Sequence, residues 1–89
     1  MKFYVKLHEG VIAICDEGVV GKTFGDFKVN EMFYKGELVS LEEVKKVLKE
    51  EGNFNLVGSE IVKVAIGLGV LDKKSVVDVG VKHGQIYCL

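Results

Sequence analysis

The sequence predicts an α+β domain in which two helices cover one mainly antiparallel sheet. Three patterns support this fold class. Apolar and polar residues alternate near both ends of the chain, an amphipathic segment follows Ser40, and an almost wholly apolar segment spans residues 60–68. The chain has 89 residues, without repeats or a recognisable linker. We therefore expect residues 1–89 to form a single domain.

The N-terminal alternation predicts a β-hairpin. Residues 3–8 and 11–15 form its strands and Glu9-Gly10 its turn. A two-residue turn would place Leu7 opposite Ile12 and Val5 opposite Ile14. One face of the hairpin would then be apolar and carry Phe3, Val5, Leu7, Ile12 and Ile14. The other face would carry Tyr4, Lys6, His8, Ala13 and Cys15.

Short elements are predicted between the hairpin and Ser40. Asp16 is placed to cap a helical turn over residues 17–20 that ends at Gly21. Residues 27–30 are typical of a short strand, and residues 31–34 of a single helical turn that ends by Gly36.

Two longer helices follow. Ser40 and Glu43 match the capping box, in which each side chain binds the other's backbone amide, so a helix is predicted over residues 41–51, ended by Gly52. Residues 53–57 are expected to be extended. The helix predicted over residues 60–68 is apolar nearly all round, which places it in the core or at an interface between copies.

A second hairpin is predicted at the C-terminus, with residues 76–79 and 85–88 as strands and residues 80–84 as the loop between glycines. The expected order is β-β-β-α-(β)-α-β-β.

Composition excludes several classes of function. All 12 basic residues are lysine and the formal net charge is −1. Arginine makes the commonest specific base contacts, so sequence-specific DNA binding is not expected. No apolar stretch is long enough to span a membrane and no secretory signal is visible, so we expect a cytoplasmic protein with no membrane partner and reduced cysteines. Abundant Lys and Glu with few amides also resemble thermophile proteins.

Known ligand motifs fit poorly. Gly21-Lys22-Thr23 resembles the end of a phosphate-binding loop, but Asp16 occupies the position of its first glycine. Cys15, Cys88, His8 and His83 lack zinc-finger spacing. We therefore predict no metal and no cofactor.

Other residues leave two interpretations open. The start of the helix at Ser59 has free amides for an anion, although Glu60 favours an ordinary cap there. The aromatic residues are either stacking surfaces for single-stranded RNA or core residues, and a domain this small needs them in its core. They are Phe24, Phe27, Phe33 and Tyr34.

Two sets of candidate functional residues remain. Cys15 with Asp16 and His83 would supply a nucleophile, an orienting carboxylate and a base. The second set would bind a partner: Lys82 and His83 at the tip of the predicted loop, Gln85 beside them, and Lys22 as a further phosphate contact.

The order and spacing of several segments resemble one family across nearly the whole chain. The sequence is similar to the small archaeal proteins of domain-of-unknown-function family 424, although Lys82 stands where that family usually has proline. The segments are residues 15–17, 21–24, 33–39, 55–58, 67–70 and 83–85. The resemblance implies an archaeal, cytoplasmic protein and transfers no catalytic residue.

We therefore expect a non-catalytic module that binds RNA or a ribonucleoprotein in translation or RNA processing, an association drawn from small archaeal domains of this kind. Two alternatives remain: a small enzyme that uses Cys15 with Asp16 and His83, and a protein-interaction or self-assembling domain that uses residues 60–68.

Overall fold

The computed structural model describes residues 1–88, and its main sheet has six strands in the order β5-β1-β2-β6-β8-β7. A separate two-stranded sheet pairs β3 with β4. The strands are β1 (Lys2–His8), β2 (Val11–Asp16), β3 (Thr23–Phe24), β4 (Phe27–Lys28), β5 (Glu37–Ser40), β6 (Phe54–Val57), β7 (Val77–Asp78) and β8 (Lys82–Ile86). The helices are α1 (Glu31–Tyr34), α2 (Leu41–Leu48) and α3 (Ser59–Gly67), with short 3₁₀ turns at Glu17–Val19 and Lys73–Ser75. The α+β fold class is confirmed.

The predicted register of the first hairpin is confirmed. Leu7 pairs with Ile12 and Val5 with Ile14. Side chains alternate between the two faces of a strand, so Phe3 and Ile14 point to one face of the sheet and Cys15 to the other. We call these the helix face and the loop face.

The helix face holds the larger core. Side chains from α2, α3 and the loop after α3 pack here on the sheet. Its buried members are Phe3, Ile14, Val39, Val44, Leu48, Phe54, Leu56, Ile61, Val62, Ala65 and Leu71. Burial of Ile61, Val62 and Ala65 accounts for much of the apolar character of α3. Its use as an interface between copies stays a prediction.

The capping box at the start of α2 is confirmed, whereas the predicted end of the helix is wrong. The amide of Glu43 donates to Ser40 Oγ at 3.2 Å and the amide of Ser40 donates to Glu43 Oε1 at 3.0 Å. The helix ends at Leu48. Beyond it, the amides of Lys49 and Glu50 bond to carbonyls three residues back, which tightens the last turn before Gly52 is reached.

The loop face is covered by residues 17–36, which the sequence did not predict to form a layer. Its buried residues are Ala13, Cys15, Val29, Tyr34 and Val57, with Phe24, Phe27 and Phe33 partly buried around them. The prediction that the aromatic residues belong to the core is therefore confirmed. The sheet lies between two helices on one face and an irregular layer on the other.

Two strand pairings depend on distant partners. Strand β6 pairs parallel with β2, whereas the other neighbours in the main sheet are antiparallel. Strand β5, which the sequence did not predict, pairs with β1 and forms one edge of the sheet.

The prediction of a loop over residues 80–84 is wrong. Strand β8 begins at Lys82, so Lys82, His83 and Gly84 lie in the sheet. Gly84 was interpreted as a turn glycine, but it is buried in the strand, and a Cβ built on it would lie 2.8 Å from Leu71 Cδ2. A strand glycine often marks such a close approach.

No helix among residues 1–88 is long and apolar enough to cross a membrane.

On the loop face, the layer formed by residues 17–36 is joined to the sheet by a hydrogen bond from Tyr34 Oη to Asn55 Oδ1 of β6, 2.5 Å long. Burial, with a smaller contribution from Cys15, raises the pKa of Tyr34 to about 12, so the phenol remains a neutral donor at neutral pH.

Tyr34→Phe should lower the free energy of unfolding by about 1–3 kcal/mol, because it leaves the half-buried amide oxygen of Asn55 without its donor. Urea denaturation followed by circular dichroism measures the change. Tyr87→Phe is the control, because the exposed Tyr87 should change the stability by no more than about 0.5 kcal/mol. Equal effects of the two substitutions would contradict the structural role of Tyr34.

Candidate functional site

The thiol of Cys15 lies in the smaller core beneath residues 17–36 and is fully buried. Burial, with a further contribution from the charge of Asp16, raises its pKa to about 12. The nucleophilic form of cysteine is the thiolate, so this thiol is poorly suited to attack a substrate at neutral pH.

Asp16 is the next residue along β2 and its carboxylate points to the opposite face. It accepts the amide of Glu60 at 2.9 Å through Oδ2 and the amide of Ile61 at 2.8 Å through Oδ1. These are two of the amides that the first turn of α3 leaves unpaired. Asp16 therefore caps α3 from a strand 44 positions earlier in the chain. The start of α3 is capped as predicted, but Asp16 and not Ser59 supplies the cap. The prediction that Asp16 caps residues 17–20 is wrong, because its side chain forms no cap hydrogen bond with that turn.

Gly58 makes this close approach possible. It precedes α3 with φ +126°, a conformation that residues with a side chain rarely adopt. A Cβ on Gly58 would lie 2.3 Å from the carboxyl carbon of Asp16. The absence of a side chain at Gly58 thus leaves the space that the carboxylate occupies.

The structure does not bring the three candidate catalytic residues together. Cys15 pairs with Val57, and Val57 with His83, so the thiol and the imidazole are two strands apart, about 10 Å. Asp16 lies on the other face of the sheet. His83 Nδ1 lies 2.9 Å from the carbonyl oxygen of Leu56, which only accepts, so Nδ1 carries the proton and donates.

The four candidate partner-binding residues fall in three places. Lys22 is exposed between the first 3₁₀ turn and β3. Lys82 points to the helix face because it alternates with His83 along β8. His83 and Gln85 point to the loop face and line one surface groove together. They therefore do not form a single patch.

Lys82 belongs to a groove on the helix face that we call the lysine groove. Its volume is about 440 Å³. Its walls are Ser59, Val62, Lys63, Ile66, Lys73, Val76 and Lys82. Three ammonium groups from α3, the second 3₁₀ turn and β8 thus share a groove with apolar side chains from α3 and Val76.

The charges in the lysine groove are unequally neutralised. Lys82 Nζ lies 3.1 Å from Asp78 Oδ2 in an exposed ion pair. The Gly80 amide and the Lys82 ammonium hold the pKa of Asp78 below its ordinary value. Within residues 1–88, neither Lys63 nor Lys73 forms an ion pair with a carboxylate.

Of these three lysines, the sequence pattern pointed to Lys82 and not to Lys63 or Lys73. Lys63 is one of only two charged residues on the apolar helix, and Lys73 follows ten positions later. Nothing local links them, since they meet only when the chain after α3 returns to the sheet. The helical spacing of Ser59, Val62, Lys63 and Ile66 was the available signal, because it places them on one side of α3.

A second groove, the edge groove, lies on the loop face of β8. Its volume is about 370 Å³. Its lining residues are Ser75, Val77, His83, Gly84, Gln85 and Tyr87.

Metal binding finds no support among residues 1–88, where no group of three or more His, Cys, Asp or Glu side chains is placed to hold an ion. The four residues considered for zinc have separate surroundings: His8 stacks on Phe33, His83 bonds to the Leu56 carbonyl, Cys15 is buried and Cys88 is exposed.

Asp16→Ala should lower the free energy of unfolding by about 1–2 kcal/mol, because the amides of Glu60 and Ile61 lose their acceptor. Asp16→Asn should cost less, because it keeps one acceptor oxygen without burying a charge. Urea denaturation at neutral pH compares the two variants with the unchanged chain.

The same variants test the charge on Asp16. Burial raises the pKa of Asp16 above 3.8, against the opposing effect of the two amide hydrogen bonds. The folded chain therefore holds this proton more tightly than the unfolded chain. As pH rises from the ordinary pKa of an aspartate through the raised pKa of Asp16, the free energy of unfolding of the unchanged chain should fall relative to that of Asp16→Asn. Parallel stability curves for the two proteins would contradict this assignment.

Iodoacetamide at neutral pH should modify Cys88 and leave Cys15 unmodified, because Cys88 is exposed whereas Cys15 is buried with a pKa of about 12. Mass spectrometry of the digested protein measures both sites in one sample. In urea, both cysteines should react. Rapid alkylation of Cys15 in the folded chain would instead favour the enzyme hypothesis.

Comparisons with known proteins place the chain in a family. The sequence profile described as "Protein of unknown function (DUF424)" matches residues 6–89. No curated protein gives a significant sequence match. The fold is similar to that in a crystal structure of an uncharacterized conserved protein from Methanopyrus kandleri, with a TM-score of 0.75, 22% identity, and coverage of 100% of this chain and 93% of that chain. At that identity the likeness concerns the fold. Since the profile spans nearly the whole sequence, the chain belongs to the DUF424 family of proteins of unknown function.

Proposed function

We propose that this protein is a non-catalytic module that binds single-stranded RNA, within a ribonucleoprotein of an archaeal cytoplasm. The observation that carries the proposal is the lysine groove, which Lys63, Lys73 and Lys82 line together with apolar side chains. Lysine ammonium groups bind phosphates as point charges. Unpaired RNA offers phosphates together with exposed sugars and bases, so it matches both the charged and the apolar parts of the groove.

The non-catalytic part of the proposal rests on the contacts of the three candidate catalytic residues. Cys15 is buried, Asp16 caps α3, and the proton on His83 Nδ1 is donated to the Leu56 carbonyl. Each side chain therefore has a structural role. The archaeal and cytoplasmic setting extends what the sequence resemblance implies.

The preference for RNA over sequence-specific DNA binding follows from the lysines. The sequence contains no arginine, so the bidentate guanine contact in the major groove is not available. The net charge of −1 also gives no general attraction for polyanions, which makes binding depend on the local cluster.

Fluorescein-labelled decauridylate should bind with an affinity that falls as salt rises, because phosphate contacts release counterions. Each contact to a single strand contributes about −0.7 to the slope of log binding constant against log salt, so three lysines give about −2. Lys63→Gln combined with Lys73→Gln should reduce the magnitude of the slope by about 1.4. Fluorescence anisotropy at several salt concentrations measures it.

The matched control is Lys46→Gln combined with Lys74→Gln, which removes the same charge. Both residues are exposed, Lys46 is on α2 and Lys74 is the neighbour of Lys73, and neither lines the lysine groove. This variant should keep the slope of the unchanged chain. Equal losses in the two double variants, or no binding of decauridylate at low salt, would refute the proposal.

A further inference from the structure

The edge groove is open because the sheet is incomplete beside it. Strand β7 pairs only with Lys82 and His83. Within residues 1–88, no strand pairs with Gly84, Gln85 or Ile86 on that side of β8. The groove therefore lies beside a free strand edge, and its volume of about 370 Å³ is within the range of small-molecule sites.

Tyr87 presents an aromatic surface at this groove. Its side chain is 67% exposed, and its hydroxyl donates to Gln85 Oε1. An exposed aromatic ring is a surface on which any nucleobase stacks.

Polar groups with fixed roles lie beside that ring. Gln85 uses its carbonyl oxygen to accept from Tyr87, so its NH₂ group remains a donor. In the tautomer in which Nδ1 of His83 donates to the Leu56 carbonyl, Nε2 is an acceptor. The Phe27 ring, 5.5 Å from the His83 ring between centroids, packs beside the imidazole.

We propose that the edge groove binds an unpaired nucleobase, which stacks on Tyr87 and is hydrogen-bonded by Gln85 and His83. Donors and acceptors alternate along the free edges of a nucleobase, which matches one donor and one acceptor in the groove. The proposal rests on the RNA function for its biological role. The site itself is testable with a nucleoside, which carries no phosphate.

The two grooves also suit one RNA strand. Lys82 and His83 are consecutive residues of β8, and they point to opposite faces at the same end of the sheet. A single strand that crosses the edge beside β7 would place a phosphate near Lys82 and a base on Tyr87. The lysine groove would then supply the salt-dependent contacts, and the edge groove the base-dependent contact.

The test is a titration of the ¹⁵N-labelled protein with adenosine, and separately with uridine, followed by NMR. We expect amide shifts at Ser75, Val77, Gly84, Gln85 and Tyr87. Tyr87→Ala should weaken nucleoside binding at least about fivefold, since it removes the stacking surface. Tyr87→Phe keeps the ring and should retain most of the binding, whereas Gln85→Glu should weaken it because the amide donor is replaced by an acceptor.

Met32→Ala is the matched control, because Met32 is another exposed large apolar side chain and does not line the edge groove. It should leave the nucleoside titration unchanged. Absence of shifts at the edge groove with both nucleosides, or equal binding by Tyr87→Ala and the unchanged chain, would overturn the proposal.

Failure of the RNA function has a different signature. If nucleosides shift the edge groove while decauridylate fails to bind, the nucleobase site stands and the RNA function fails. If decauridylate and an abasic phosphodiester chain of the same length bind equally and both respond to salt, the RNA function keeps its phosphate contacts and the nucleobase site is overturned.

Discussion

The capping of α3 by Asp16 is the interaction on which the arrangement of the helix face depends. It joins the last residue of β2 to the first turn of a helix whose sequence lies more than 40 positions away. Strand β6 pairs with β2 and leads into α3 through Gly58, so this contact fixes where the helix starts relative to the sheet. The lysine groove follows from it, because Ser59, Val62, Lys63 and Ile66 all lie on this helix.

The cap also shows why neighbouring polar residues need not form a reaction centre. Cys15 and Asp16 are adjacent in sequence, yet strand alternation sends the thiol to the loop face and the carboxylate to the helix face. Pairing across the sheet sets His83 in the same row as Cys15, but with Val57 between them. Strand alternation thus separates Asp16 from Cys15, and the intervening strand β6 separates His83 from Cys15.

Local patterns allowed much of the fold to be predicted. The register of β1 with β2 follows from a short turn, and the start of α2 from the capping box at Ser40. Strand pairings between segments far apart in the sequence were harder to predict. Residues 37–40 have little strand character alone, and they become β5 because β1 offers its free edge. Gly84 illustrates the same limit, because a glycine needed for packing is identical in sequence to one needed for a turn.

The residues of the candidate sites also differ in whether the local sequence could identify them. Lys82, His83 and Gln85 were found from one short segment, although their placement on a loop was wrong. Lys63 and Lys73 join Lys82 only through tertiary structure, so no spacing rule selects them together. Tyr87 lay in a predicted strand, and the groove beside it is open because, within residues 1–88, β7 pairs with Lys82 and His83 and no strand pairs with Gly84 on that side. Local sequence thus identified residues on β8, whereas their grouping depended on the sheet.

Leu71 helps to keep the lysine groove and the edge groove on opposite faces of β8. Backbone hydrogen bonds alone would allow β8 to slide by one residue, and every side chain would then change face. In that register His83 or Gln85 would occupy the position beneath Leu71, where even a single added carbon meets the leucine at 2.8 Å. Steric crowding by one buried leucine therefore favours the observed register of β8, in which Lys82 shares the helix face with Lys63 and Lys73 while His83, Gln85 and Tyr87 lie on the loop face.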